Sequence, residues 1–198
     1  MYTTDTLPTS FCIAQAIGLS GAAWLSEYAG NIFSLSLMTI PALLQSHKEH
    51  SIPLSTITKQ WALVYETGKN RAPPIALFTA TTLLYLSWET RAQSTLSAIA
   101  PRGATTTYAI AAALTIAIVP WTILAMKGTN DALMEKAKVG VQEEKDLQEG
   151  ERVLGLLNRW ALLNGARAMW PLAGFLVGFV NGGITVSRQL FGNTVTEG

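Results

Sequence analysis

Four stretches of the chain are almost free of charged side chains. Between Thr6 and His47 the only one is Glu27, and there is none in Ala72–Trp88, Gly103–Met126 or Ala168–Ser187. A helix crossing a bilayer core needs about 20 apolar residues, with a range of ~17–25. The third and fourth stretches meet that length. The second is short and rich in threonine, and the first is long enough to tilt or protrude. The pattern predicts four membrane helices near 11–45, 72–89, 104–126 and 160–186. The expected fold is all-α, a four-helix transmembrane bundle forming a single domain over 1–198. The first Lys or Arg is Lys48, so the N-terminal stretch lacks the basic start of a secretory signal and reads as a retained span.

Composition sharpens this picture. Hydrophobic residues make up 49% of the 198, and only 14 basic and 13 acidic side chains are present. Twelve of those charges fall between Lys127 and Arg152, a mixed-sign run that reads as a charged, solvated connection between spans three and four. The balanced charge gives no basic field for nucleic acid. The single cysteine, Cys12, excludes an internal disulfide and any multi-cysteine metal site. Ten Lys and Arg lie in 46–71 and 127–159, against three on the opposite side. The positive-inside rule then places both long loops in the cytosol and both termini in a lumen. An endoplasmic reticulum or related internal membrane is expected.

Small residues recur every fourth position in span one, at Ala14, Gly18, Ala22, Ser26, Gly30 and Ser34, and in span four at Gly174, Gly178 and Gly182. Close approach drives association of membrane helices, so both stripes are expected to face neighbouring helices. In steps of three and four, Trp160, Asn164, Arg167, Pro171, Gly174 and Gly178 share one helical face. An arginine there is costly unless paired or hydrated, and it marks either a functional site or a side chain reaching for the headgroups. Glu27 lies beside the span-one stripe with Asn31 four residues on; such a carboxylate should be protonated or partnered. Pro120, in Val119-Pro120-Trp121-Thr122, should kink span three.

Outside the spans, Trp61 and Tyr65 stand i,i+4 on an expected short helix, where interfacial anchoring is one reading. Pro73 and Pro74 are expected to begin span two. Asn130 is expected to cap a helix over Asp131–Lys138. His47 and His50 flank Lys48 and Glu49, a spacing that lacks a third firm metal ligand, so no metal site is assigned. No nucleotide, flavin or haem motif is present, and no histidine lies within a span to ligate haem.

Several of these residues together form a recognisable set. Trp61-x3-Tyr65-x2-Gly68, Tyr108-Ala109-Ile110-Ala111-Ala112-Ala113 running to Pro120-Trp121-Thr122, Thr129-Asn130-x2-Leu133, and Trp160-x2-Leu163-Asn164-x2-Arg167-x3-Pro171-Leu172 occur in order. In these the chain resembles the anthrone oxygenase-like integral membrane proteins of fungal polyketide clusters, over roughly residues 10–185. The last two motifs are the most specific. The resemblance implies a four-span monooxygenase that converts an anthrone to an anthraquinone with molecular oxygen as co-substrate and no added cofactor.

The site assignment comes from the residues themselves. Arg167, Asn164 and Asn130 could donate hydrogen bonds to an enolate oxygen. Trp160, Trp61 and Tyr65 could stack on a flat aromatic. Glu27, His47 or water could take the proton. The expected partners are a small aromatic polyketide, the lipid bilayer, and pathway enzymes or a second copy of the chain. Two other functions fit the same sequence: a non-enzymatic membrane scaffold recruiting enzymes through 127–152, and an oxygenase acting on another phenol. A carrier is disfavoured, since no repeated half is visible.

Overall fold

The computed structural model describes residues 9–92, 100, 102–141 and 147–191. The described residues contain helices and no strand. Helix α1 (Thr9–Ser34) runs through a π-helical turn (Leu35–Thr39) into α2 (Ile40–His50). Helix α3 spans Leu54–Glu89. Helices α4 (Ala104–Ile116) and α5 (Ile118–Trp121) lead through a second π-helical turn (Thr122–Met126) into α6 (Lys127–Val139). Helix α7 spans Leu147–Phe191. Of these, the continuous helical stretch Ala104–Val139 is long and apolar enough to cross a membrane, a measure that the core helix of a soluble protein also meets.

Local chemistry explains where the helices stop. Ser51 adopts a left-handed conformation (φ 50°) after α2, and Pro53 follows, unable to continue the helix. His47 Nδ1 lies 2.8 Å from the Ile52 carbonyl oxygen, tying this turn together. Gly103 (φ 80°) precedes α4 and Gly140 (φ 90°) ends α6, both in a region that L side chains enter at a cost. Four threonines of α3 satisfy their hydroxyls on their own helix. Thr58, Thr67, Thr81 and Thr82 each donate their hydroxyl to the carbonyl four residues back.

Three expectations are corrected here. Helix α3 continues through Pro73 and Pro74 rather than starting at them. Prolines inside a helix lose backbone donors, but the α3 segment before them buries Leu54, Ile57, Thr58 and Trp61, and that packing holds it helical. Asn130 caps nothing: it lies within α6 and is buried. The small-residue stripe of α1 is not its buried face where the side chains are described. Gly30 and Ser34 are exposed, while Ala29, Ile32 and Ser36 are buried. The side chains of Ala14, Gly18, Ala22 and Gly182 lie outside the described residues, as do residues 142–146 of the charged run.

The chain divides into two compact units. The first comprises Met1–Ser26, Pro74–Ala117 and Trp170–Gly198. Its core is Leu83, Leu86, Ala104, Tyr108, Ala111 and Ala112. There α7 meets α4 at Gly174, where an added Cβ would stand 2.7 Å from Thr115 Oγ1 and 3.0 Å from the Ala111 carbonyl oxygen. At Gly178 an added Cβ would make only ordinary contacts with Ala111 and Leu83, so it is Gly174 that serves close approach. Gly21 of α1 lies against Thr79 in the same way.

The second unit comprises Glu27–Pro73 and Ile118–Met169. Its core gathers Ile40, Leu54, Ile57, Trp61, Met126, Leu133, Val153, Leu157 and Trp160. On α7 the buried positions Val153, Leu157, Trp160, Asn164 and Ala168 follow steps of three and four, one face of one helix. The segment expected to be a separate connection is therefore continuous with span four from Leu147 onward.

Candidate active site

The six sequence-selected aromatic and amide or guanidinium residues fall in the second unit, as does Glu27. The indole N–H of Trp160 donates to Asn130 Oδ1 at 3.0 Å, with both residues buried. Indole is only a donor, so this bond fixes which way the Asn130 amide points. Trp61 stacks on Tyr65 with ring centroids 5.1 Å apart and planes 9° from parallel. Trp160 meets Trp61 edge-on, at 5.6 Å and 90°. Aromatic pairs of this geometry contribute about 0.5–1.5 kcal/mol beyond their buried area. Trp121 adds a further tie, its indole N–H donating to the Leu163 carbonyl at 3.2 Å.

One turn along α7, Asn164 is fully buried and makes three bonds. Its Nδ2 donates to the Ile32 carbonyl at 3.1 Å and to Ser36 Oγ at 2.9 Å. Its Oδ1 accepts from Arg167 Nη2 at 2.7 Å. A carbonyl can only accept, so the amide orientation is again determined. Both amide hydrogens are engaged inside the protein. Asn164 therefore holds Arg167 in place and has no hydrogen left for a ligand. Ser36, which the sequence did not single out, completes this cluster by donating to the Ile32 carbonyl at 3.2 Å. Gly165 faces Ser36, and an added Cβ there would make an ordinary contact at 3.6 Å from Ser36 Cβ.

Two chambers flank Arg167. One, of about 300 Å³, is lined by Asn31, Ile32 and Leu35 on one side and by Tyr65, Lys69, Arg71, Trp160 and Arg167 on the other. The second, of about 230 Å³, is lined by apolar Pro73, Ile118, Val119 and Ile123, with Thr122. Tyr65, Gly68, Lys69 and Arg167 line both and so form a common wall. The larger chamber is at the lower end of the ~300–1,000 Å³ usual for small-molecule sites. The second lies against α5, which contains Pro120, and the π-helical turn that follows it. π-helical turns occur frequently at functional sites.

The structure thus brings Trp160, Tyr65 and Arg167 to a chamber wall, with Trp61, Asn130 and Asn164 behind them as supports. Glu27 is not among them. It is exposed and lines neither chamber. His47 is occupied at the end of α2, and His50 is exposed. Lys69 and Arg71 are chamber residues that sequence reading treated only as loop charges.

The second unit defines an all-α protein with a basic, aromatic-walled, small-molecule chamber. Residues 61–177 match the anthrone oxygenase family, and the chain belongs to it. It is similar to anthrone oxygenase encC of Aspergillus fumigatus, with 31% identity over 175 residues covering 84% of this chain and 90% of that protein. An anthrone oxygenase of Claviceps purpurea is 34% identical over 167 residues, covering 83% and 86%. The noranthrone monooxygenase of Aspergillus flavus is 31% identical over 159 residues, covering 78% and 68%. No solved structure matches the chain. Membership makes this chain an enzyme of the monooxygenase class.

Proposed function

We propose that the chain oxidises an anthrone of fungal polyketide biosynthesis to the anthraquinone, using molecular oxygen and no added cofactor, at the chamber beside Arg167. An anthrone carries an acidic methylene opposite a ring carbonyl. Losing one proton gives an electron-rich enolate. The enolate passes one electron to oxygen, and the radical and superoxide then join as a peroxide. Loss of water leaves the new carbonyl: one CH2 and one O2 become one C=O and one H2O.

The observation that carries this reading is the placement of Arg167, fixed by Asn164 at 2.7 Å and lining the chamber between Tyr65 and Trp160. A fixed cation stabilises the enolate oxygen as charge develops, which is worth most where bulk water is excluded. Tyr65 and Trp160 offer ring faces and edges to a flat substrate. Trp61, stacked behind Tyr65, holds that ring in position. With no carboxylate among the described lining residues, the proton passes to water on the open side of the chamber.

We also propose that all four helical stretches cross an internal membrane as a four-helix bundle, with the long loops cytosolic and the termini lumenal. Each stretch exposes large apolar side chains: Trp24 and Leu37, Phe78 and Trp88, Ile123 and Leu124, Leu162 and Phe179. Such surfaces suit lipid and are rare on soluble monomers. Glycosylation-acceptor tags at the termini test the orientation, and a cytosolic C-terminus overturns it.

The chemical test compares wild type with Arg167→Met in membranes holding equal amounts of protein. Wild type should form quinone faster than the spontaneous rate under oxygen and not under argon, with one ¹⁸O from ¹⁸O2 in the new carbonyl. The variant should lose roughly 10²–10³-fold in kcat. Unchanged turnover by the variant rules out Arg167 as the enolate donor.

A further inference from the structure

Enolate stabilisation calls for one cation, and the larger chamber has three. Lys69 and Arg71 line it together with Arg167, and no Asp or Glu is among its described lining residues. The chamber also has a direction. Ile32 and Trp160 are buried and mark its floor, whereas Lys69 and Arg71 are exposed and mark its open side. Lys69 is partly engaged, with Nζ 3.4 Å from Glu66 Oε1 and 5.8 Å from the centroid of the Tyr65 ring. Its ammonium thereby lies over the Tyr65 ring, part of the chamber wall. A concave site lined by one sign of charge concentrates ligands of the other sign. Lysine and arginine at a rim recognise a carboxylate through charge-assisted hydrogen bonds, the arginine in a planar fork.

We propose that Lys69 and Arg71 form an anion subsite that reads a carboxylate on the substrate's aromatic frame. The preferred substrate is then an aromatic carboxylic acid, oriented with its acid group at the open side and its reacting carbonyl toward Arg167. This rests on the oxidation reading above. It adds a specificity element that the reaction itself does not need.

The test uses the full chain in vesicles of neutral phosphatidylcholine. Two substrates are compared, an anthrone bearing a ring carboxylate and the methyl ester of the same compound. Wild type should prefer the acid, with the difference in KM. Arg71→Gln and Lys69→Gln should each lower the acid-to-ester ratio of kcat/KM by roughly tenfold, and Arg71→Glu should lower it further. Equal KM for acid and ester in wild type overturns the subsite while leaving the oxidation reading intact. So does an unchanged ratio in all three variants. A rise in wild-type activity on adding anionic lipid that is the same for both substrates and is lost in the variants assigns Lys69 and Arg71 to headgroup binding, and it also overturns the subsite. If neither compound is oxidised by wild type, the oxidation reading itself fails.

Discussion

Trp160 and Asn130, thirty residues apart in the chain, are joined inside the second unit by a 3.0 Å hydrogen bond from the indole N–H to the amide oxygen. Trp61 lies edge-on to the same indole, yet its own N–H is buried with no hydrogen-bond partner among the described residues. The two tryptophans should therefore respond differently to the same change. Trp160→Phe strands a buried amide oxygen and should cost about 1–3 kcal/mol. Trp61→Phe loses ring area but also removes an unsatisfied donor, so its cost should be smaller. Pairing Trp160→Phe with Asn130→Leu should recover part of the loss, because both polar partners are then gone. Melting midpoints in detergent for the four proteins check this. Equal losses for the two single tryptophan variants count against it.

Asn164 ties α1 to α7 while restraining Arg167, so its removal should show in two measurements. Asn164→Ala should destabilise by about 1–3 kcal/mol, since the Ile32 carbonyl and Ser36 lose a buried donor. Assayed well below its melting point, it should still bind substrate with near-normal KM but turn over more slowly, because the guanidinium is no longer fixed. Ser36→Ala removes one bond of the cluster and should do less on both measures. A purely structural role for Asn164 would leave kcat of the folded fraction unchanged.

Arg167→Lys keeps a positive charge and loses the planar fork. Its kcat should fall by roughly tenfold or more, with the protein still folded. Full activity in the lysine variant would show that charge alone suffices and that the Asn164 bond has no part in turnover.

Gly174 and Gly178 of α7 offer a contrast in stability alone. Gly174→Ala puts a methyl against the Ala111 carbonyl, at 3.0 Å, as well as against Thr115. Overpacking of this kind costs about 1–3 kcal/mol. Gly178→Ala meets Ala111 Cβ at 3.6 Å, an ordinary contact, and gains roughly 0.8–1.0 kcal/mol of helix propensity. The first variant should melt lower than wild type and the second at or above it.

Much of the α7 face was legible because helical periodicity and the cost of burying polar groups act on neighbouring residues of one helix. Steps of three and four put Trp160, Asn164 and Gly174 on one side, and the structure buries all three. What stayed hidden depends on distant partners. Nothing local says that Asn130 accepts from an indole thirty residues on, or that Ser36 meets Asn164 across 128 residues. Pro73 and Pro74 were misleading for a related reason, since the packing of Trp61 and its neighbours outweighs the local signal. Lys69 and Arg71 look like ordinary solvated charges until α3 is known to carry them alongside the chamber. Glu27 drew attention through the apolar sequence around it, but its face of α1 is an exposed one.

The π-helical turns have a bearing on how length changes would be tolerated. In the first, the N–H of Ile40 reaches back five residues to the Leu35 carbonyl, so the turn holds one residue more than an α-helical turn. In the second, Ile118 and Met126 are both buried although they are eight residues apart. Eight α-helical steps would leave them roughly 80° out of line, and absorbing one residue reduces the offset to roughly 20°. The turn thus acts as a phase adjustment that aims Asn130 at Trp160. Deleting a single residue from Thr122–Met126 would remove the extra residue and leave an ordinary α-helical turn, with the helix beyond it still in phase. The same deletion made between Lys127 and Thr129, where no extra residue is stored, would rotate Asn130 by roughly 100° and turn its amide away from the indole.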